Sequence, residues 1–168
     1  MKAIITGILA VCLTCAGVAE GRSVARTAST NGAWTGRVRH VLNHLDGDKP
    51  SMEEVEQLLR TGRSFRYKHT DPYLAALPSE TARTRRGDCK DRSLWLIDQM
   101  GDRNARYVIG KAHRGSRMNH AWVKWNDGNR WWILDPTKRS RPIPADSVGS
   151  NSYIPLMSFS PSGTTRNF

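Results

Sequence analysis

Cysteine is scarce in this 168-residue chain, which contains three. Two of them, Cys12 and Cys15, lie in an apolar N-terminal segment, so Cys89 is the only thiol in the rest of the sequence. A single thiol excludes an internal disulfide, and the lack of a CxxC pair argues against a structural zinc site. In an exported protein an unpaired thiol is open to oxidation, so its retention favours a chemical role.

The chain also lacks a long hydrophobic run. The apolar stretch 3–18 follows the positive start Met1-Lys2 and is shorter than the roughly 20 residues that a spanning helix needs. Gly17-Val18-Ala19 places small residues where a signal peptidase cuts. We therefore predict a signal peptide over 1–19 and a periplasmic or secreted protein. An uncleaved anchor, or a lipoprotein attached through Cys15, is the alternative.

Acidic residues are outnumbered by basic ones, and the formal charge is +11. The basic residues are scattered and no recognised nucleic-acid motif occurs, so we expect no nucleic-acid partner. A basic surface attracts polyanions. For an exported protein, the cell envelope and other anionic surfaces are the expected peripheral contacts. Plain solubility explains the charge equally well.

Hydrophobic periodicity divides the remainder into helices followed by strands. The small polar residues 20–36 are typical of a linker. Helices are predicted over 37–45, from the capping box of Ser51 and Glu54 to Gly62, and from Gly87-Asp88 to Met100. Strands are predicted over 106–112, 119–126 and 130–135. Segment 65–79 and the tail from Thr137 are mostly irregular, with one more strand allowed around Tyr153-Ile154. This order predicts an α+β domain over 37–168, with helices packed on an antiparallel sheet.

Cys89 lies one residue after Asp88, the predicted N-cap of the third helix. The free N–H groups at a helix N-terminus carry partial positive charge, which favours a thiolate and can hold an oxyanion. Basic neighbours add to this effect, whereas Asp88 and Asp91 oppose it. On the local sequence alone, a small, buried and inert cysteine is an equally good interpretation.

A predicted hairpin supplies a base for the thiol. Asp127-Gly128 is a strong signal for a two-residue loop, which would pair Asn126 with Asn129. The same count places His120 opposite Asp135, where cross-strand Cβ atoms lie roughly 4.5–5.5 Å apart. The carboxylate would then fix the imidazole tautomer and leave the other nitrogen for a thiol. A shift of one residue in register would put the two side chains on opposite faces.

Each of these residues also has a structural explanation. His120 alone would be a hydrogen-bonded structural histidine, and Asp135 before Pro136 would be a turn residue. The remaining histidines lack such partners and are interpreted as surface residues: His40, His44, His69 and His113. We expect no metal and no cofactor.

The three motifs, in the order Cys, His and Asp, resemble those of the bacterial transglutaminase-like cysteine proteinases, a branch of the papain-like fold. Gly87-Asp88-Cys89-Lys90-Asp91 is similar to that family's GDC-acid-D motif. Segments 119–123 and 132–136 are similar to its His and Asp strands. The resemblance covers about 65–137 and includes an upstream segment with Phe65-Arg66-Tyr67, Asp71 and Pro78-Ser79-Glu80.

The resemblance implies a cysteine hydrolase that cleaves a peptide or isopeptide bond through a thioester. Cys89 would attack the carbonyl, His120 would exchange the proton with thiol and leaving amine, and Asp135 would orient His120. The backbone N–H of Cys89 would supply part of the oxyanion hole. The second donor is not assigned, and Gln57 and Trp34 are the upstream options.

The chain departs from the family pattern at two places. Lys90 replaces the acidic residue beside the cysteine, which helps to bind calcium in some relatives, so the resemblance does not imply calcium dependence here. Ala75-Ala76-Leu77 stands where family members often carry a tryptophan.

Two other functions remain open. An acyltransferase would use the same thioester with an amine as acceptor, and the choice depends on how well the site excludes water. A non-catalytic module would use its basic face to bind the envelope. For the hydrolase we expect a monomer acting on a protein or peptide substrate.

Overall fold

The computed structural model describes residues 32–70 and 74–166. The predicted signal peptide, most of the predicted linker and the Asp71-Pro72 turn lie outside these ranges. The division of the chain into signal, linker and domain therefore stays a prediction. None of the helices in the two described ranges has the length and apolar character needed to cross a bilayer.

Helices dominate the first half of the described chain and strands the second. The helices are α1 (Gly32–Asn43), α2 (Met52–Ser64), α3 (Pro78–Thr84) and α4 (Cys89–Met100). The strands are β1 (Arg66–Tyr67), β2 (Arg86–Gly87), β3 (Ala105–His113), β4 (His120–Asn126), β5 (Trp131–Leu134), β6 (Ile143–Pro144), β7 (Ser152–Ser160) and β8 (Gly163–Arg166), with a 3-10 helix at Ala145–Ser147. Strands β1 and β2 pair in parallel. The others form an antiparallel sheet in the order β6-β5-β4-β3-β7-β8. The predicted α+β class is confirmed.

Helix α4 lies at the centre of the domain. It packs on β3 and β4 and also contacts α1, α2 and α3. Two of its buried polar residues are hydrogen-bonded to other elements: Arg92 donates to the carbonyls of Phe65 and Gly87, and Ser93 donates to the carbonyl of Ala121. Because a buried polar group is costly unless it is paired, these bonds fix the first turns of α4 against β2 and β4.

Helix α2 begins as predicted but ends later. The Ser51 side chain accepts from the Glu54 N–H, and the Glu54 carboxylate accepts from the Ser51 N–H, which is the predicted capping box. Gly62 does not end the helix, which continues to Ser64. A Cβ at Gly62 would lie 2.9 Å from both the Trp95 ring and the Pro136 side chain. This glycine therefore permits close packing between α2 and the segment after β5.

Two predictions about secondary structure need correction. Helix α1 begins at Gly32, inside the segment predicted as linker. The tail contains the strand predicted around Tyr153-Ile154, but it is more ordered than predicted, because β7 and β8 both extend the sheet. The described part of segment 65–79 is mostly irregular, as predicted, apart from β1 and the start of α3, whose first residue Pro78 suits a helix N-terminus. Strand β7 contains Pro155 and shows no clean alternation of buried and exposed residues, so its pairing with β3 determines its conformation.

The pairing of β3 with β7 depends on Gly110. The register between the two strands shifts at Ile109 and Gly110, where β7 carries an extra residue. A Cβ at Gly110 would lie 2.0 Å from the carbonyl oxygen of Ile154 and 2.7 Å from the Trp122 ring. Only glycine lets β7 approach β3 this closely, and this approach places Tyr153 beside the candidate active site.

Candidate active site

Cys89 is the first residue of α4, as the sequence predicts. Asp88 is the N-cap: its carboxylate accepts from the Lys90 N–H at 3.1 Å, and the Asp91 carboxylate accepts from the Asp88 N–H at 3.1 Å. Cys89 is a free thiol of intermediate exposure. The thiol therefore lies at a helix N-terminus, within reach of solvent and next to N–H groups that can bind a negative charge.

His120 begins β4 and meets Asp135 directly after β5. Its Nε2 lies 2.8 Å from the Asp135 Oδ2, and both side chains are buried. The predicted contact between these side chains is confirmed, whereas the predicted register is wrong. Asn126 pairs with Trp131 rather than with Asn129. This is a shift of two residues, which keeps the same side chains on the same face of the sheet.

The hairpin loop explains the different register. The loop contains four residues, 127–130, rather than two. The Asp127 carboxylate accepts from the N–H groups of Asn129 and Arg130 and from the indole N–H of Trp132. The backbone hydrogen bond from Arg130, with the bonds from Trp132 and Asn129, lowers the pKa of Asp127 to about 2. Asp127 therefore stabilises a longer loop, which the Asp-Gly pair alone does not indicate.

The Asp135 side chain is completely buried, and its carboxylate accepts four hydrogen bonds from the described residues. Besides His120, the donors are the Tyr153 hydroxyl at 2.9 Å and the N–H groups of Thr137 and Lys138 at 3.0 and 3.1 Å. Burial would raise the pKa of Asp135, but the hydrogen bond from His120 and the other donors hold it below its usual value. Asp135 is thus a carboxylate at neutral pH, and its orientation is fixed from three segments of the chain.

The charge of His120 is set by its two neighbours. Burial would lower the pKa of this imidazole, but hydrogen bonds with Asp135 and with Cys89 outweigh burial and raise the pKa from 6.5 to about 9. Because Nε2 is engaged by Asp135, Nδ1 is the nitrogen left for the thiol. The imidazole is therefore protonated at neutral pH and lies between a thiol and a carboxylate. Such a ring can stabilise a thiolate and later donate a proton.

Tyr153 is a site residue that the sequence analysis missed. Burial, and then the charge of Asp135, raise the pKa of its hydroxyl, so it remains a hydrogen-bond donor. Its ring packs edge-on against Trp122, which stacks on His120. Its φ of 48° is in the left-handed region, which is rare for a bulky residue. Nothing in the sequence around Tyr153 signals this role, because it depends on the pairing of β7 with β3.

Tyr153→Phe is expected to lower the free energy of unfolding by about 1.5–3 kcal/mol, because Asp135 loses a hydrogen bond to a charged group while the packing volume is kept. Urea unfolding measures this change. Tyr67→Phe is the matched control, since the Tyr67 ring is exposed, and a change within about 0.5 kcal/mol is expected there. Equal stability of Tyr153→Phe and wild type would show that β7 does not hold the carboxylate.

Of the two upstream candidates for the second oxyanion donor, Gln57 is far from Cys89. Gln57 lines a cavity with Gln99 and Met100, at the end of α4 opposite Cys89. That end is about 16 Å away at the rise of an α-helix, so Gln57 cannot serve as an oxyanion donor. The Trp34 side chain lies outside the described part of the chain.

Of the other histidines, only His69 is close to the start of α4 among the described residues. His40 is exposed on α1 and His44 is exposed directly after it, with ring centroids 4.3 Å apart, and His113 is exposed at the end of β3. His69 Nδ1 lies 3.7 Å from the Asp88 Oδ2. Within residues 32–70 and 74–166, no group of three His, Cys, Asp or Glu residues is arranged to hold a metal ion.

The sequence matches no family model and no curated protein. Among solved structures, the chain is similar to calcium-bound LapG of Legionella pneumophila, with a TM-score of 0.55 and 20% identity over 81% of this chain and 79% of that chain. It is similar to LapG in another structure, with a TM-score of 0.54 and 19% identity over 80% and 76% of the two chains. EGTA-treated LapG gives a TM-score of 0.55 and 19% identity over 81% and 75%. These similarities show that the chain has a transglutaminase-like fold.

Proposed function

We propose that this protein is an exported cysteine hydrolase that cleaves a peptide or isopeptide bond. Cys89 is the nucleophile, His120 the acid and base, and Asp135 the residue that orients His120. The observation that carries the proposal is the placement of one buried imidazole between the thiol at the start of α4 and a buried carboxylate. The transglutaminase-like fold supports it.

The reaction proceeds in two halves. The Cys89 thiolate attacks the carbonyl carbon of the scissile amide, and the Cys89 N–H binds the resulting oxyanion. The amide C–N bond breaks as His120 donates its proton to the leaving amine, which leaves a thioester on Cys89. Water then loses a proton to His120 and attacks the thioester. The carboxylic acid departs, and the thiolate and imidazolium are restored.

An acidic substrate or an anionic surface fits the residues next to the nucleophile. Arg66 and Arg86 are partners in the two-stranded β1–β2 sheet and both are exposed. Neither forms an ion pair with a carboxylate of residues 32–70 or 74–166. Gly87 connects this pair of arginines to Asp88 and Cys89. Two unneutralised charges so close to the thiol favour acidic protein segments or envelope polyanions as ligands.

The proposal is tested by identifying products on peptide and protein mixtures by mass spectrometry, with and without an added primary amine. Hydrolysis adds the mass of one water at the new carboxyl terminus or side chain. Incorporation of the amine instead would favour the acyltransferase. With Cys89→Ser, neither product should form. Rapid alkylation of Cys89 without any product on a broad library would favour the envelope-binding module.

The signal peptide predicted over 1–19 would deliver the enzyme to the periplasm or outside the cell. A protein or peptide substrate that is associated with the cell envelope matches that location and the basic charge of the chain. The enzyme acts as a monomer and requires no cofactor.

A further inference from the structure

Lys90 is buried although it lies in the first turn of α4, where a lysine usually extends into water. Lys90 as a whole is 9% exposed. The ammonium Nζ donates to the Asp88 Oδ2 at 2.5 Å and to the Thr70 Oγ1 at 2.5 Å. It also lies 4.0 Å from the Asp91 Oδ1. A buried ammonium is costly unless it is paired, so this arrangement must be stabilised by the oxygens around it.

The oxygens around Lys90 belong to two buried carboxylates. Asp88 is 3% exposed and Asp91 is completely buried. Thr70 bridges them, because its hydroxyl lies 2.9 Å from the Asp91 Oδ2 and 3.2 Å from the Asp88 Oδ2. The Ala76 N–H donates to the Asp91 Oδ1 at 2.8 Å. The cluster thus ties the N-cap of α4 to the segments around Thr70 and Ala76.

Lys90 supplies the positive charge of this cluster. Without it, two carboxylates would face each other at residues close in sequence to Cys89, with the Arg92 guanidinium and the largely exposed His69 ring as the remaining positive groups that interact with Asp88 among the described residues. Two negative charges there would disfavour a thiolate at the adjacent residue. Burial would raise the pKa of Asp88, but the hydrogen bond and charge of Lys90 lower it below its usual value. The ammonium therefore stabilises the Asp88 carboxylate that caps α4 and offsets part of the negative charge near Cys89.

A divalent cation does not fit this arrangement. LapG has been solved in calcium-bound and EGTA-treated forms, so a metal near such a site has to be considered. Calcium needs six to eight oxygen ligands at about 2.3–2.6 Å. Here the oxygens of Asp88 and Thr70 already accept from the ammonium at hydrogen-bond distance. A positive side chain also repels a second cation from the same space.

We propose that Lys90 is a built-in cation that holds the start of α4 in place of a bound metal ion, so that the Cys89 site forms without calcium. Lys90 is a positioning residue, because it acts through the N-cap Asp88 and does not contact the reacting atoms. The inference rests on the proposed function only in naming Cys89 as the nucleophile.

The test compares the full chain in EGTA and in excess calcium by two measurements that need no turnover. These are the thermal unfolding midpoint and the rate at which iodoacetamide alkylates Cys89. For wild type, neither measurement should differ between the two conditions. Lys90→Met should slow alkylation about tenfold, because the two carboxylates near Cys89 then lack the ammonium. Calcium should restore little of the rate, because methionine adds no ligand.

Lys90→Glu tests the same site by replacing the positive charge with a negative one. It adds a third carboxylate, so in EGTA it should unfold at a lower temperature and react at least about tenfold more slowly than wild type. Calcium should raise both values toward those of wild type. Lys68→Glu, at an exposed lysine two residues before Thr70, is the matched control and should show no calcium response.

Two results would overturn the proposal. One is wild type that loses alkylation or stability in EGTA and regains it with calcium. The other is Lys90→Met that reacts and unfolds like wild type. Because Lys90→Met keeps a similar side-chain volume, it covers the case in which Lys90→Glu fails to fold. A lack of cleaved product on any substrate would count against the hydrolase proposal and would leave these outcomes unaffected.

Discussion

Cys89→Ser is expected to lower kcat/KM for amide cleavage by about 10,000-fold or more, and His120→Ala by a similar factor, because nucleophile and base act as one unit. Serine keeps the shape of the side chain but cannot form the anion that a protonated imidazole stabilises. Initial rates on the cleaved peptide give the values. His113→Ala, at an exposed histidine on β3, is the matched control and should retain wild-type activity.

Alkylation separates the role of His120 from its contribution to folding. In wild type, His120 has a pKa of about 9 and is hydrogen-bonded to Cys89, so iodoacetamide is expected to react quickly at neutral pH. His120→Ala and Asp135→Ala should both slow the reaction at neutral pH and move its rise toward higher pH. If neither substitution alters the alkylation profile, the three residues do not form a catalytic unit.

Stability is expected to fall as the pH rises from about 6.5 to about 9. The pKa of His120 rises from 6.5 to about 9 in the folded protein, through its bonds with Asp135 and Cys89 against the effect of burial. Its contribution is therefore complete below pH 6.5 and is lost as the pH passes through 9. A shift of this size corresponds to roughly 3 kcal/mol of unfolding free energy.

Urea unfolding at pH 6.5 and pH 9 measures this loss. His120→Gln cannot be protonated, so its free energy of unfolding should change far less between the two values. His113→Gln is the matched control and should show the same pH dependence as wild type. An equal loss in His120→Gln and wild type would mean that another group causes the change. At acid pH, the pKa of Asp135 is lowered in the folded protein. The contribution of Asp135 to the free energy of unfolding is therefore lost as the pH falls through this lowered pKa.

The start of α4 could be predicted from the sequence because its signals are local. Asp88 and Asp91 form the capping box that opens the helix, and Gly101 ends it in the left-handed conformation. These residues are close in sequence, so their preferences act without help from the rest of the fold. Cys89 could therefore be placed at a helix N-terminus with no knowledge of the sheet.

The contact between His120 and Asp135 could be predicted although the register was wrong. Side chains alternate along a strand with a period of two, so a shift of two residues leaves each side chain on its original face. The loop length could not be predicted, since it depends on the Asp127 carboxylate binding the N–H groups that follow it. The sequence therefore determines which face of the sheet each side chain lies on more strongly than which residue it pairs with.

Tyr153 and the burial of Lys90 could not be predicted, because both depend on distant segments. Strand β7 pairs with β3, and only Gly110 permits the close approach at Ile154. Lys90 is buried because Thr70, on a loop well before α4, places its hydroxyl beside the ammonium. A sequence shows that a lysine departs from a family pattern, but it does not show what covers that lysine.

The hydroxyl of Tyr153 reaches Asp135 from β7, well after the nucleophile and base in the chain. A polypeptide emerging from a ribosome presents Cys89 and His120 before Tyr153, because synthesis proceeds from the N-terminus. During that interval the carboxylate lacks one of its donors, and β3 lacks one of its neighbouring strands. The hydrogen-bond shell of Asp135 is therefore complete only after β7 has been synthesised and has paired with β3.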